Sequence, residues 1–399
     1  MSAQSSAPRL PVGAGGSHQA ARASRKDEHL DLALRLHGQD RPNAFDDVAF
    51  MHHALAATAA TQVDPSATVC GAQWAEPFYI NAMTGGTRNT MRINSELAGA
   101  AAEAGVAVAC GSQHIALDDP ERAESFRIIR RRAPRAFILA NVGPTMDPAQ
   151  AVRAVEMLEA NALQIHLNAA QELVMPEGDR DLRDWAQRID AIVKAVPVPV
   201  VVKEVGFGIS ARTMASLSRL GASAVDVAGT GGTDFIAIEN ERRPDHSYSY
   251  LTGWGQSTVL CLLESLCAEP AARRPGGDSA RGTERPVGQT DEHGAQLEVL
   301  ASGGVRHPLD VVRALALGAR AVGVSGHFLR TLSRSGPEGL RHELALWSEQ
   351  VRTLMTLLGA ADIAALRRTD LLVTGRTAEQ ARLLGVDLPA LARRSTCSG

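Results

Sequence analysis

The sequence predicts an α/β protein built as a closed (β/α)8 TIM barrel. Three observations carry that reading. Eight short apolar runs end in small or polar residues. Between most of them lies an Ala/Leu/Arg/Glu-rich stretch of helical period, such as "DPAQAVRAVEMLEANA" or "HPLDVVRALALGA". No Gly-x-Gly-x-x-Gly follows the first run. Strand–helix alternation predicts a parallel sheet, and eight units predict its closure. The missing glycine fingerprint counts against a doubly wound open sheet.

In chain order the runs are "FYINAMT" (78–84), "GVAVACGS" (105–112), "AFILANVG" (136–143), "ALQIHLN" (162–168), "VPVVVKEV" (198–205), "SAVDVAG" (223–229), "LEVLASGG" (297–304) and "RAVGVSG" (320–326). The fourth alternates: Leu163, Ile165 and Leu167 share one face, and Gln164, His166 and Asn168 share the other. One face packs on an apolar layer, and the other looks into something polar. The fifth closes on two opposed charges, of which Lys203 is expected to enter the barrel mouth and Glu204 to turn away.

Residues 25–395 read as one domain. The Ser/Ala/Gly/Pro-rich stretch 1–24 lacks the apolar core of a signal peptide and reads as a disordered leader. Residues 229–255 form a long connection on the side where barrel loops build sites, while 269–295, rich in Pro, Gly and charge, read as a disordered insertion on the opposite face. A net charge of −3 argues against nucleic acid or an anionic membrane as partner. No apolar run approaches the ~20 residues of a membrane span. Five scattered cysteines without a Cys-x-x-Cys pair fit neither a disulfide framework nor a structural zinc, so a reducing cytoplasm is expected.

Chemistry in a barrel sits where the strands end. Strands seven and eight end in "SGGVRHP" and "VSGHF", so amides at Gly303, Gly304, Ser325 and Gly326 make a phosphate cradle. Strand six runs into "VAGTGGTDF", with Thr233; strand one gives "AMTGGT" and strand three "ANVGP". A flat ligand tethered by a phosphate would use Met83 and Thr84 beneath a ring, with Asn141 and Lys203 at its edge. Flavin mononucleotide fits that description, and so does another phosphorylated ligand. Strand two ends in "GSQHIALDDPE", and Arg25 and Lys26 precede a helix-like stretch. Such an adjacent pair is ordinarily a solvated surface feature.

The motifs "RKDEHL", "AMTGGT", "GSQ…LDDPE…SF", "ANVG", "HLNAAQELVMPEGDRD", "VVKEVGFG", "VDVAGTGGT", "ASGGVR" and "LRRTDLLVTG" occur in this order. Together they resemble the type 2 isopentenyl-diphosphate isomerase family over about residues 24 to 395, the insertion excepted. The resemblance implies a flavoprotein that interconverts isopentenyl and dimethylallyl diphosphate with reduced FMN and Mg²⁺, NADPH or NADH supplying the reduction. It implies a symmetric homo-oligomer, a tetramer or octamer. Carried over by motif, Arg25, Lys26, Ser112 and Gln113 hold the diphosphate, with His114 beside them. FMN falls on Ala82, Met83, Thr84, Ser112, Asn141, Lys203 and Thr233, and its phosphate on Gly304, Val305, Arg306, Ser325 and Gly326. Gln171 faces substrate, Glu172 binds Mg²⁺, and His166 and Asn168 complete the polar floor. The chain departs from the family pattern at His114, where Arg is usual, and at Phe235, where Trp is frequent. An FMN-dependent α-hydroxy-acid oxidase is the first alternative, but it calls for His-Gly-Gly-Arg where this chain has His-Phe-Leu-Arg at 327–330. A catalytically silent prenyl-diphosphate-binding relative is the second.

Overall fold

The computed structural model describes residues 15–36, 42–267 and 297–397, with side chains from Lys26 onward. The stretch 269–295 therefore lies outside the described residues, as do 1–14 of the expected leader. The remainder of that leader begins a helix. The helix α1 spans Gly15–Leu36, because "SHQAARASRKDEHLDLAL" is rich in residues of high helix propensity.

Among the described residues twelve strands follow in order: β1 (Val48–Phe50), β2 (Ala67–Val69), β3 (Ala72–Trp74), β4 (Phe78–Ile80), β5 (Ala107–Ala109), β6 (Ile138–Val142), β7 (Ala162–His166), β8 (Val200–Lys203), β9 (Ala224–Asp226), β10 (Glu298–Ser302), β11 (Val322–Val324) and β12 (Leu371–Val373). Strands β4 to β11 close into a parallel barrel, with β11 beside β4. These are the eight runs read from the sequence. They are near-continuously apolar because helices cover one face and the barrel interior the other; all five residues of β6 are buried.

The interior fills in layers contributed by alternate strands, as barrels do. At the bottom are Ala107, Ala162, Ala224 and Ala321, then Tyr79, Leu139, Val201 and Leu300, all buried. The β2–β3 hairpin plugs this end with Trp74, whose ring lies 5.4 Å from Tyr79 and 5.1 Å from Phe137. Above them the chemistry changes. Gln164 and Asp226 share a layer with Ala109 and Gly323, and the top layer holds Asn81, Asn141, Lys203 and Ser302. Gly323 is required there: a Cβ on it would sit 2.6 Å from Asn81 Nδ2 and 2.8 Å from the Tyr79 ring.

The helices are built by local rules. The helix α2 (Arg88–Ala104) starts with a Thr87–Thr90 capping box and stops at Gly105 in the left-handed region. Its Ile93, Leu97 and Ala101 form the buried stripe. Next come α3 (His114–Asp118), α4 (Glu124–Arg132), α5 (Pro148–Leu158), α6 (Ala169–Val174), α7 (Trp185–Ala195), α8 (Ala211–Arg219), α9 (Phe235–Glu241) and α10 (Thr258–Cys267). After β10, α11 (Pro308–Ala316) precedes a long α12 (Gly326–Leu357) broken at Gly336. On α12, Trp347 packs against Phe78 of β4 and against Phe328. Outside the barrel, β1 pairs antiparallel with β12. Cys70, Cys110, Cys261 and Cys267 are free thiols, and no described helix is long and apolar enough to cross a membrane.

Candidate active site

A cavity of about 1020 Å³ opens at the C-terminal ends of the barrel strands. Its floor is the top layer of the barrel. Lys203 enters it from β8, while Glu204 turns outward, as expected. The Glu204 carboxylate accepts from the amides of Val205 (2.7 Å) and Phe207 (3.1 Å), and burial pushes its pKa up to about 7. Lys203 donates to its neighbour's carbonyl, Glu204 O, at 2.6 Å. Burial draws its pKa down, opposed by the charges of Asp226 and Glu204.

The β7 run supplies His166 and Asn168 on one face, as the alternation predicts. His166 Nδ1 lies 2.8 Å from Asn141 Oδ1. Asn168 Nδ2 donates to Glu172 Oε1 at 2.8 Å, and the other Glu172 oxygen accepts from the Asp179 amide at 2.9 Å. Glu172 lines the cavity. No group of three or more metal-ligating side chains occurs among the described residues. A Mg²⁺ ion therefore fits here only as one carried largely by ligand phosphate oxygens and water, with a single carboxylate from the protein, which is a common arrangement for Mg²⁺.

Opposite this wall is the cradle. Gly303 and Gly304 both have positive φ (87° and 78°). Carbonyls of the loop are tied back: Thr258 Oγ1 donates to Ser302 O and Gly303 O, and Asn43 Nδ2 to Gly304 O. Among the described residues no protein acceptor takes the Gly303, Gly304 or Val305 amides. Those donors suit a phosphate. Buried Thr84 Oγ1 on the facing wall likewise has no protein partner. The residues present fit a phosphate-tethered ring such as FMN.

Ala82, Met83, Thr84, Ser112, His114, Asn141, Lys203, Thr233, Gly304, Val305, Ser325 and Gly326 all line the cavity, with Gln171 and Lys26. Lys26 Nζ donates to Ser112 O at 2.7 Å, which brings α1 to the β5 loop. His114 Nε2 lies 3.4 Å from Asp118. Two residues stand differently from the expectation. Gln113 is fully buried, its amide donating to Ala154 O (2.9 Å) and its oxygen accepting from Asn141 N (2.9 Å), so it fastens β6 rather than facing the cavity. Arg306 borders the cavity, but its guanidinium is clamped by Asp46 (2.6 Å) and Asp310 (3.0 Å), and its amide also bonds Asp310. It frames the cradle instead of offering a free cation. Arg25 lies on α1, and its side chain is outside the described residues.

Sequence reasoning missed one cluster. Glu239 on α9 is fully buried and accepts from Gln171 Nε2 at 2.7 Å and from Arg242 at 2.6 Å, with His29 Nε2 at 3.0 Å. Arg242 also reaches Glu177 (2.7 Å) and Glu28 (3.1 Å). The cluster joins α1, α6 and α9 over the cavity. Its only trace in the sequence is a set of charged residues on the long 229–255 connection.

Comparison with known proteins decides the family. Isopentenyl-diphosphate delta-isomerases of Streptomyces sp. (strain CL190) and Nocardia farcinica are 46% and 48% identical to this chain, each match covering 94% of it and 96% of the relative. The protein of that name from Latilactobacillus sakei is 44% identical over 89% of this chain and 95% of its own. This chain belongs to the isopentenyl-diphosphate delta-isomerase family. The motif resemblance is thereby borne out, and the delta-isomerase family's sequence runs through every barrel strand described above. Residues 276–373 also match the FMN-dependent dehydrogenase family model, a stretch that contains the cradle. Among solved structures, mandelate oxidase matches with a TM-score of 0.57 at 19% identity, covering 89% of this chain and 99% of that one. The flavin-binding domain of baker's yeast flavocytochrome b2 matches with a TM-score of 0.60 at 19% identity, covering 85% and 81%. At that identity the two share the delta-isomerase family's barrel.

Proposed function

We propose that this protein interconverts isopentenyl and dimethylallyl diphosphate, using FMN in its reduced state with Mg²⁺, NADPH or NADH serving only to reduce the flavin. The observation that carries the reading is one cavity with two anion-ready ends. The glycine cradle of β10 and β11 lies at one, and Lys26, Ser112 and His114 with the Glu172 carboxylate lie at the other. A ring phosphate and a substrate diphosphate need that separation of sites.

Moving a double bond asks for a proton on one carbon and loss of another from its allylic neighbour, with no net oxidation. A bound reduced flavin supplies an electron-rich face that can stabilise the tertiary cationic centre formed on protonation. Met83, Thr84, Asn141, Lys203 and Thr233 would hold its ring, and Gly304, Val305, Ser325 and Gly326 its phosphate. Lys26 neutralises diphosphate charge, and Glu172 offers the hard oxygen that Mg²⁺ prefers. Gln171, its NH₂ fixed by Glu239 and its oxygen within 3.4 Å of Asn168, would face the substrate from the cavity wall. Phe235 borders the cavity and excludes water from an apolar prenyl chain.

An oxidase reading finds less support. The run that would carry its base reads His-Phe-Leu-Arg at 327–330 in place of His-Gly-Gly-Arg. We further propose a cytoplasmic homo-oligomer, a tetramer or octamer, on the family resemblance. Purified protein, reduced FMN, Mg²⁺ and isopentenyl diphosphate in one tube test the activity. The expected result is dimethylallyl diphosphate with NADPH used only to prime the flavin. NADPH oxidation in proportion to product would overturn the isomerase reading in favour of an oxidoreductase.

A further inference from the structure

One directional line of hydrogen bonds crosses the barrel through the cavity floor and the layer beneath it. It starts at Asp226, which is fully buried and surrounded by donors: Asn81 Nδ2 at 2.8 Å, Tyr79 OH at 3.0 Å, Ser302 Oγ at 2.8 Å and the Ala228 amide at 3.2 Å. A carboxylate so surrounded only accepts. Asn81 must then give its NH₂ to Asp226 and keep its oxygen for others. A second bond fixes the same orientation, because Asn81 Oδ1 accepts from the Ala82 amide at 2.8 Å. Gln164 Nε2 therefore donates to Asn81 Oδ1 (3.3 Å), and Gln164 Oε1 accepts from Asn141 Nδ2 (3.1 Å). Asn141 Oδ1 is left facing His166 Nδ1 at 2.8 Å. That oxygen carries no hydrogen, so the ring nitrogen must supply one.

We propose that this line fixes His166 as the Nδ1-protonated tautomer, and that Asp226, Asn81, Gln164 and Asn141 are its positioning residues. The consequence lies at the other ring nitrogen. His166 lines the cavity, and with Nδ1 bonded to Asn141 its Nε2 offers a lone pair to whatever binds there. The ring stays neutral: burial lowers its pKa to about 3, helped by Lys203 from the floor, Lys26 from α1 and His114 from α3, against a smaller opposing contribution from the Val142 backbone. An acceptor at this point selects a donor, such as a ring N–H or a bound water, and it repels a phosphate oxygen. The assignment follows from the protein's own bonds and does not depend on which prenyl substrate is bound.

The test is histidine-labelled ¹⁵N NMR of the full-length protein, in which the imidazole nitrogens report directly which one carries hydrogen. The chain has 12 histidines, so His166→Gln assigns the signal by its loss. Wild-type protein is expected to show a protonated Nδ1 and an unprotonated Nε2, unchanged between about pH 5 and 8. The opposite tautomer, or a ring that titrates in that range, would overturn the proposal. Two variants test its cause. Gln164→Leu removes the acceptor for Asn141, so the two tautomers should mix; Gln164→Glu keeps that acceptor, so the wild-type tautomer should persist. A pure Nδ1–H signal in Gln164→Leu, or mixing in Gln164→Glu, would show that the line does not set the tautomer. Wild type alone still decides the assignment should the leucine variant fail to fold.

Discussion

Replacing Glu239 by Gln keeps the side-chain volume but removes the charge on which three elements converge. The amide oxygen can still accept from Gln171, but an NH₂ now meets Arg242 or His29. Hydrogen bonds to charged groups are worth ~1.5–3 kcal/mol, and stranding one partner of a buried pair costs ~3–5 kcal/mol. Arg242 is not stranded, because Glu177 and Glu28 remain within 2.7 and 3.1 Å. The loss therefore falls near ~2–3 kcal/mol. With an unfolding entropy of ~2.1 cal/mol/K per residue over a chain this long, that lowers Tm by about 2–4 °C. Scanning calorimetry at pH 7 and a fixed scan rate measures it. The pH dependence has a definite sign. Burial alone would raise the Glu239 pKa, but His29, Gln171 and Arg242 together hold it below the ordinary carboxylate value. A group depressed in the folded state stabilises above its unfolded pKa of ~4.3, and that stabilisation fades as the pH falls through the folded value. The gap between wild type and variant should therefore close on acidification below about pH 4. A difference under about 1 °C at pH 7, or a gap that widens in acid, would refute the cluster as a clamp. Substrate KM should rise more than kcat falls, since the clamp holds the helix that carries Lys26.

Three further outcomes are expected. Glu172→Gln should lose nearly all Mg²⁺-dependent activity while retaining flavin, measured by turnover and by visible absorbance; wild-type turnover with unchanged Mg²⁺ dependence would show that Glu172 is no ligand. Gly304→Asp puts a carboxylate, at a φ of 78° that disfavours any side chain, where amides await a phosphate; purified protein should be colourless, and a yellow variant would move the phosphate elsewhere. His114→Arg should lower substrate KM at pH 8 more than near pH 6, because His is neutral more often at the higher pH. Asp118, 3.4 Å from the ring, will take part of the new charge, so the gain should stay within a few-fold for a bond of ~1.5–3 kcal/mol in full.

The eight barrel strands were legible because each is an apolar run stopped by small or polar residues. That Lys203 and Glu204 face opposite ways was legible from alternation. What escaped was geometry set by contacts distant in sequence. Gln113 sits between Ser112 and His114, two cavity residues, but the turn into α3 aims its amide at α5. Arg306 was read as a phosphate contact because its neighbours are; Asp46, far away along the chain, had already taken its charge. Glu239 had no motif around it, and the β1–β12 pair joins opposite ends of the domain. The Trp74 hairpin did carry a local signal at the Cys70–Gly71 turn, where φ is positive at both residues.

The seam between β4 and β11, where Phe78 pairs with Val322 and Tyr79 with Gly323, also governs when the molecule can come into being. The first barrel strand waits without its neighbour until the last one has been synthesised, so much of the chain leaves the ribosome with an open sheet edge. Pairings this distant in sequence make for slow folding. Both loops of the phosphate cradle lie on the late side of that wait. An unfinished chain thus has no place for the cofactor's phosphate, and flavin uptake during synthesis would report closure of the barrel rather than collapse of its first half.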